Sequence, residues 1–318
     1  MRTRLKDSSP QGSHFSRWRS RWRHPDEDLA PKTVFVLSGG GLNGAAQVGM
    51  LEVLFANGIY PDAVVGVSAG ALNGIYLASN PTPEGLAALS SSWDWVSEHG
   101  IFEAGSPKRL WAVLRQRTSL DDGSLLRSGI EANLPVQDLS DCQIPLRIGT
   151  VELISGTMCW WSTGPALELL MASAAIPGVF PPVNINGTLH VDGGVCSPVP
   201  VAAAVDFHPT RIVILDVSMI SGDAVHTARR PPSALEVLLR SFDAARHRVV
   251  DAEFAALTPD VEVIHIRGGL PVGVLPDSTD SIPEITESGR EAARKVLESM
   301  NAPDPVHDTE SQHAHYSA

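Results

Sequence analysis

The segment Val64-Val65-Gly66-Val67-Ser68-Ala69-Gly70 joins an apolar, β-branched run to a Gly-x-Ser-x-Gly motif. Glycines on both sides of a serine allow the backbone to turn sharply from a strand into a helix. Such a turn exposes the serine hydroxyl above the sheet, beside the N–H groups of the helix start. Gly66, Ser68 and Gly70 therefore form a candidate nucleophile motif. Because this pattern arises by chance in roughly one chain in ten of this length, its weight depends on its surroundings.

The neighbouring sequence alternates between strand-like and helix-like segments. Strands alternating with helices predict an α/β fold in which a parallel-type central sheet is flanked by helices. Active sites of such sheets lie at the carboxyl ends of the strands, which is where Ser68 falls. The predicted strands are 33–38, 63–67, 146–151, 211–217 and 261–266, and the predicted helices are 44–57, 69–79, a helix around Trp93-Asp94-Trp95, 106–117, 233–256 and 283–299.

Two windows without charged residues, 33–51 and 63–83, approach the length of a membrane span. Each contains several glycines, and each divides into a short β-branched run, a Gly-rich turn and a segment of helix length. Buried parallel strands have this apolar composition when helices cover both faces of the sheet. We therefore predict no transmembrane helix in either window.

The composition limits the class of protein. A chain of 318 residues with 43% hydrophobic residues forms one large domain, or two at most. Its net charge of -12 argues against a nucleic-acid partner. The three cysteines, Cys142, Cys159 and Cys196, are odd in number and form no CxxC pair. We therefore expect neither a disulfide framework nor a metal site, and a cytoplasmic location.

The two termini differ in composition from the rest of the chain. Residues 1–24 carry seven Arg or Lys against one Asp, with two tryptophans among the arginines. This composition predicts a disordered basic leader over residues 1–30. The alternative is a peripheral membrane contact through residues 1–24, because Trp prefers the membrane interface and Arg is attracted to anionic lipid. Residues 301–318 are predicted to be a disordered tail, so the predicted domain covers residues 31–300.

A glycine-rich loop, Ser38-Gly39-Gly40-Gly41-Leu42-Asn43-Gly44, follows the first predicted strand. Its Gly-x-Gly-x-x-Gly spacing also occurs in dinucleotide-binding loops, which require an acidic residue at the end of the second strand. Here the second strand ends in Val67-Ser68 instead. Exposed N–H groups at a helix start can also stabilise a negatively charged oxygen during acyl transfer. A hydroxyl nucleophile one strand and helix later would use such an oxyanion hole.

A candidate base lies in Leu189-His190-Val191-Asp192-Gly193-Gly194, which places a carboxylate on a glycine-rich turn after a short strand. An Asp-Gly pair usually marks an ordinary turn. The apolar segment 174–182 precedes this one, and apolar walls would raise the pKa of Asp192 towards a value useful for a base.

Taken in order, these motifs resemble the patatin-like phospholipase family. The resemblance covers the Gly39–Gly44 loop, the segment 66–73, the segment Ser173-Ala174-Ala175-Ile176-Pro177-Gly178-Val179-Phe180-Pro181-Pro182, and Asp192-Gly193-Gly194 followed by Pro198. It implies a three-layer α/β/α fold, hydrolysis of lipid acyl esters and a Ser-Asp catalytic dyad without a histidine or cofactor.

The resemblance also assigns roles to individual residues. Ser68 would be the nucleophile and Asp192 its general base. Backbone N–H groups of the loop formed by Gly39, Gly40, Gly41 and Gly44 would stabilise the oxyanion. The implied activity is that of a phospholipase A, a lysophospholipase or a carboxylesterase.

The chain departs from the family pattern at two positions. Many relatives carry Arg or Lys where this chain has Asn43, so we expect one positive charge fewer near the oxyanion loop. Ser197 stands where relatives commonly have Asn, a change that we expect to be tolerated.

Two alternatives stay open at this point. A Ser-His-Asp triad would use a histidine such as His190, but an α/β-hydrolase places its nucleophile after more strands than precede Ser68. We therefore expect His190 to be a structural neighbour of Asp192. The alternative function is a catalytically silent protein that binds lipid or nucleotide on the same scaffold.

Overall fold

The structure is a computed structural model, and it does not describe every residue. The leader 1–30, the helix predicted over 106–117, the first part of the helix predicted over 233–256 and nearly all of the tail 301–318 lie outside the described residues. The described residues are 33–99, 119, 122–218, 241, 245–246, 248–255, 257–270 and 281–301.

Eight strands form one sheet in this part of the chain. The strands are β1 (Thr33–Leu37), β2 (Ala63–Val67), β3 (Leu146–Glu152), β4 (Met158–Trp161), β5 (Val183–Ile185), β6 (Thr188–Asp192), β7 (Arg211–Asp216) and β8 (Glu262–Arg267). The helices are α1 (Gly44–Ala56), α2 (Ala69–Ser79), α3 (Pro83–His99), α4 (Ser124–Asn133), α5 (Ala166–Ser173), α6 (Val201–Val205) and α7 (Ile282–Asn301). Short 3-10 turns cover Gly41–Asn43, Leu139–Asp141 and Gly193–Val195.

The strand order is β5-β6-β3-β2-β1-β7-β8, with β4 paired to β3. The five strands from β3 to β8 along this path are parallel, whereas β4, β5 and β6 run antiparallel to their partners. The predicted α/β class with a parallel-type central sheet flanked by helices is therefore confirmed. The antiparallel strands at one side make the sheet mixed, a feature that the sequence analysis did not predict.

The sheet is buried on both faces, which explains the uncharged windows. Val34 and Val36 of β1 belong to one apolar cluster, and the alternate residues Phe35 and Leu37 belong to another. Because successive strand residues point to opposite faces, the two clusters lie on opposite sides of the sheet. Helices α1, α2, α5 and α7 contribute to the cluster of Phe35, and α6 with helical residues 248–254 covers the other. The three-layer architecture follows.

The two uncharged windows divide as predicted, the first into β1 and α1 and the second into β2 and α2. Across the described ranges, no helix has both the length and the apolar character that a membrane crossing needs.

Helix α7 packs unusually closely on α1 through two glycines. A Cβ atom at Gly289 would lie 1.9 Å from the carbonyl oxygen of Ala46, and one at Gly49 would lie 2.0 Å from that of Thr286. No side chain fits at these distances, so the two helix backbones are in direct contact. An ion pair between Arg290 and Glu52 lies beside this contact.

We expect Gly289→Val to lower the free energy of unfolding by about 1–3 kcal/mol, because the added side chain forces α7 away from α1. Urea denaturation followed by circular dichroism measures this. Glu291→Val is the control, because Glu291 is exposed on the same helix. Equal stability of the two variants would contradict the close contact.

Candidate active site

The carboxyl ends of β2 and β6 meet at two consecutive residues of β3. Val67, the last residue of β2, pairs with Gly149, and Asp192, the last residue of β6, pairs with Thr150. Ser68 directly follows Val67, so the strand pairing brings Ser68 next to Asp192. The structure therefore places together two side chains that lie more than a hundred residues apart in sequence.

One short segment at the end of α5 fixes the backbone of both residues. The Ser173 hydroxyl accepts a hydrogen bond from the Ser68 N–H at 3.0 Å and donates one to the Gly149 carbonyl at 2.8 Å. Two residues later, the Ala175 carbonyl accepts a hydrogen bond from the Asp192 N–H at 3.0 Å. The role of Ser173 is not evident from its motif, because its two partners are remote in sequence.

Ser68 has an unusual backbone conformation, with φ 55° and ψ -128°. Such a conformation costs roughly 1–3 kcal/mol for a residue with a Cβ atom and occurs mainly where the surroundings enforce it. The flanking glycines permit the turn, since a Cβ atom at Gly66 would lie 2.4 Å from the Gly70 carbonyl oxygen. Helix α2 begins at the next residue, Ala69, as the motif predicted.

Asp192 is buried, with 5% of its surface exposed. Burial raises the pKa of its carboxyl group to about 6. A hydrogen-bonding interaction with the Ser68 side chain, the charge of Arg246 and the Gly194 N–H act in the opposite direction. The Gly194 N–H donates to Oδ1 at 2.7 Å. This carboxyl group is thus a far better proton acceptor near neutral pH than an ordinary aspartate.

The glycine-rich loop lies against Ser68. A Cβ atom at Gly39 would be 3.1 Å from Ser68 Cβ, and one at Gly44 would be 2.7 Å from Ala69 Cβ. The Gly39 N–H donates to the Pro198 carbonyl at 3.0 Å, so it is occupied. Gly39 is therefore less available as an oxyanion donor than its neighbours in the loop. Within the described residues, the N–H groups of Gly40 and Gly41 have no hydrogen-bond acceptor.

A buried polar network holds this loop in place. The Gln47 amide donates to the carbonyl oxygens of Ser38 and Leu215 and accepts from Asn73 at 2.8 Å. Asn73 also donates to the Gly44 carbonyl and accepts from the Trp93 indole. Buried polar groups that are all paired make a unique, rigid arrangement. Sequence reasoning missed Gln47, because nothing in a local pattern distinguishes it from a surface glutamine.

Asn43 has a structural role that explains its departure from the family pattern. Its side-chain amide donates to the Leu270 carbonyl and accepts from the Leu270 N–H, both at 3.0 Å. With 1% of its surface exposed, Asn43 joins the glycine-rich loop to the segment after β8. A longer Arg or Lys side chain cannot form this paired contact.

His190 lies on β6 near Asp192, but both of its ring nitrogens are engaged elsewhere. Nδ1 is 3.0 Å from the Thr150 hydroxyl, and Nε2 is 2.9 Å from the Thr188 hydroxyl. Burial lowers the pKa of the imidazole, which favours its neutral form. These contacts support the expectation that His190 is a structural neighbour.

A helical stretch covering residues 245–246 and 248–254 brings two further charged side chains to the turn that follows Asp192. A Cβ atom at Gly194 would lie 3.3 Å from Arg246 Nη2, so this guanidinium lies against the turn. Glu253 accepts hydrogen bonds from the Ser197 hydroxyl and from the Ala202 N–H. The sequence predicts a helix here, but its pattern does not indicate that Arg246 and Glu253 lie near Asp192.

An apolar cavity of about 60 Å³ lies along α2, between this helix, α3 and α4. Its lining begins at Leu72, one helical turn after Ser68, and includes Trp93, Trp95 and Leu126. Such a space suits an aliphatic group.

Comparison with known proteins identifies the family. A family model described as Patatin-like phospholipase matches residues 35–205. The chain is 29% identical over 174 residues to an uncharacterized NTE family protein of Mycobacterium tuberculosis, a match that covers 54% of this chain and 45% of that protein. It is 28% identical over 189 residues to lysophospholipase NTE1 of Cryptococcus neoformans, covering 58% of this chain and 11% of that protein. The match therefore spans less than half the length of either relative.

Among solved structures, VipD from Legionella pneumophila is similar with a TM-score of 0.48 and 13% sequence identity. That comparison covers 85% of this chain and 67% of VipD.

We expect Ser173→Ala to lower the free energy of unfolding by about 1–3 kcal/mol, because it leaves the Ser68 N–H and the Gly149 carbonyl buried without partners. Thermal and urea unfolding measure this change. Ser299→Ala, at an exposed position of α7, is the control and should unfold like the wild type. A Ser173→Ala variant as stable as this control would show that the hydroxyl does not secure the turn.

Proposed function

This chain belongs to the patatin-like phospholipase family, and we propose that it hydrolyses acyl esters of lipids through an acyl-serine intermediate. The observation that carries this proposal is the meeting of Ser68 and Asp192 at Gly149 and Thr150 of β3. The proposal assigns Ser68 as nucleophile and Asp192 as general base. Backbone N–H groups of Gly40 and Gly41 are assigned as oxyanion donors.

In the acylation step, the Ser68 hydroxyl transfers its proton to the Asp192 carboxylate as Oγ attacks the ester carbonyl carbon. The carbonyl oxygen gains a negative charge, which the N–H groups of the glycine-rich loop stabilise. When the tetrahedral intermediate collapses, the bond to the alcohol oxygen breaks. The leaving alcohol takes the proton from Asp192, and the acyl group stays on Ser68.

In the deacylation step, Asp192 accepts a proton from a water molecule that attacks the acyl-serine carbonyl. The second tetrahedral intermediate collapses to a carboxylic acid, and Asp192 returns the proton to Ser68 Oγ. Both steps use the same carboxyl group in its ionised and protonated forms, which suits a pKa of about 6.

The apolar cavity favours a lipid ester over a small polar ester, because its lining begins at Leu72, one helical turn from Ser68. The bidentate contact of Asn43 with Leu270 bears on the head group instead, since residue 43 offers no positive charge to an anionic head group. Phospholipase A, lysophospholipase and carboxylesterase activities are all compatible with this site. The membrane contact through residues 1–24 stays a prediction.

The alternative is a catalytically silent protein on the same scaffold. A nucleotide-binding site is less favoured, because β2 ends at Val67 and is followed by Ser68, without the acidic residue that a ribose requires. A silent lipid-binding protein would bind ester substrate but release no acid. Turnover by the wild-type chain separates these two functions.

We expect Ser68→Ala to reduce ester hydrolysis by at least about 1000-fold, since no other group replaces the nucleophile. Release of fatty acid from a lysophospholipid and of p-nitrophenol from medium-chain esters gives the measurement. Ser79→Ala, which removes another hydroxyl from α2, should keep nearly full activity. Equal activity of Ser68→Ala and wild type would refute the nucleophile assignment.

We expect Asp192→Asn to lose turnover and yet to resist unfolding as well as wild type at pH 8. Because burial raises the pKa of Asp192 to about 6, the folded state binds this proton more tightly than the unfolded chain. The free energy of unfolding of the wild type should therefore fall by up to about 3 kcal/mol as the pH rises from 4 to 7 and Asp192 ionises.

Thermal unfolding of both proteins at pH 5 and pH 8 measures this effect. The decrease between the two pH values should be smaller in Asp192→Asn. A folded Asp192→Asn variant with wild-type turnover would remove Asp192 from the mechanism.

A further inference from the structure

We propose that Arg246 is a positioning residue that keeps Asp192 ionised, so that its positive charge sets the lower pH limit of hydrolysis. The proposal rests on the function proposed above, because it takes Asp192 as the base. It assigns no contact between Arg246 and the substrate.

The guanidinium and the carboxyl group meet beside Gly194. A methyl group at Gly194 would stand 3.0 Å from Asp192 Oδ1 and 3.3 Å from Arg246 Nη2. Both atoms therefore approach the same point, which is open only because residue 194 has no side chain. An opposite charge near a carboxyl group favours its ionised form, and the charge of Arg246 lowers the pKa of Asp192.

The other groups around Asp192 do not supply this charge. Ser68 and Gly194 offer neutral donors, and Thr150 is the residue opposite on β3. His190, on the same strand, has its pKa lowered by burial, and its nitrogens face Thr150 and Thr188. Glu152 lies opposite His190 on β3, and Glu253 is bonded to Ser197 and Ala202. Among the described residues, Arg246 is the cation that acts on Asp192.

The glycine-rich loop does not provide a cation from the other side. The position where many relatives carry Arg or Lys is Asn43, and its amide is paired with the Leu270 backbone. A buried carboxylate without a nearby cation is strongly disfavoured and binds a proton instead. Arg246 thus approaches from a helix that the family motifs do not include.

The register of this helical stretch explains how Arg246 reaches the turn. Arg246 and Glu253 are seven residues apart, about two helical turns, so both point to the same side. Glu253 accepts hydrogen bonds from the Ser197 hydroxyl, which lies just after this turn, and from the Ala202 N–H in α6. Of the contacts made by these two side chains, the one made by Arg246 places a positive charge beside Asp192. Glu253 is therefore a matched control for packing.

The test is the pH dependence of kcat/KM from pH 5 to 9 with an uncharged p-nitrophenyl ester. The proteins compared are wild type, Arg246→Gln, Arg246→Lys and Glu253→Gln. The acidic limb is the part of the pH profile where kcat/KM falls as the pH is lowered. We expect Arg246→Gln to shift this limb to a pH about one unit higher, which lowers kcat/KM about fivefold at pH 6 and little at pH 8. Arg246→Lys should keep the wild-type limb. Glu253→Gln should lower the rate without moving the limb upward.

If Arg246→Gln does not fold, a second variant, Gly194→Ala, tests the same contact. Gly194→Ala inserts a methyl group between the two side chains, and it should move the acidic limb in the same direction while Arg246 is still present. Thermal unfolding establishes that each variant is folded at the pH of the assay.

Three outcomes would overturn the inference. The first is an unmoved acidic limb in folded Arg246→Gln or Gly194→Ala. The second is an equal, pH-independent loss in Arg246→Gln and Glu253→Gln, which indicates packing alone. The third is a loss limited to phospholipid substrates, which indicates head-group binding. If the wild type has no Ser68-dependent turnover, the proposed function itself fails, and this inference fails with it.

Discussion

The arrangement of this protein depends on one constraint, the pairing of Gly149 and Thr150 of β3 with the last residues of two different strands. Val67 of β2 and Asp192 of β6 occupy neighbouring positions along β3, although they reach it from opposite directions. A hydroxyl on the residue after Val67 and a carboxyl group on the last residue of β6 therefore become neighbours. A shift of β6 by one residue would turn the Asp192 side chain to the other face of the sheet.

The surroundings of this junction hold two energetically unfavourable groups. Ser68 has a positive φ, and the carboxyl group of Asp192 is buried with a raised pKa. Ser173 and Ala175 stabilise the backbone at both residues, because they accept hydrogen bonds from the N–H groups of Ser68 and Asp192. Such unfavourable groups persist only where neighbouring structure determines them and are concentrated at functional sites. The buried hydrogen bonds of Gln47 and Asn73 hold the backbone of the glycine-rich loop in the same way.

Much of the fold was accessible from the sequence, because strand and helix signals are local. The strand over 63–67 and the helix over 69–79 have the predicted bounds, and the helix around Trp93-Asp94-Trp95 is part of α3. The direction of β6 was not accessible, since a strand pairs with partners that its own sequence does not specify. The same holds for the hydrogen bond of Gly39 with Pro198, the Asn43 contact with Leu270, and the arrival of Arg246 at Gly194. Each joins residues far apart in the chain.

The central claim is that Ser68 forms a covalent intermediate that Asp192 helps to form and resolve. The most direct measurement is peptide-mapping mass spectrometry of protein treated with an alkyl fluorophosphonate, in wild type and in Asp192→Asn. We expect one adduct in the wild type, on the peptide that contains Ser68, and much slower labelling in Asp192→Asn. An adduct on another residue, or the absence of any adduct from folded wild-type protein, would contradict it.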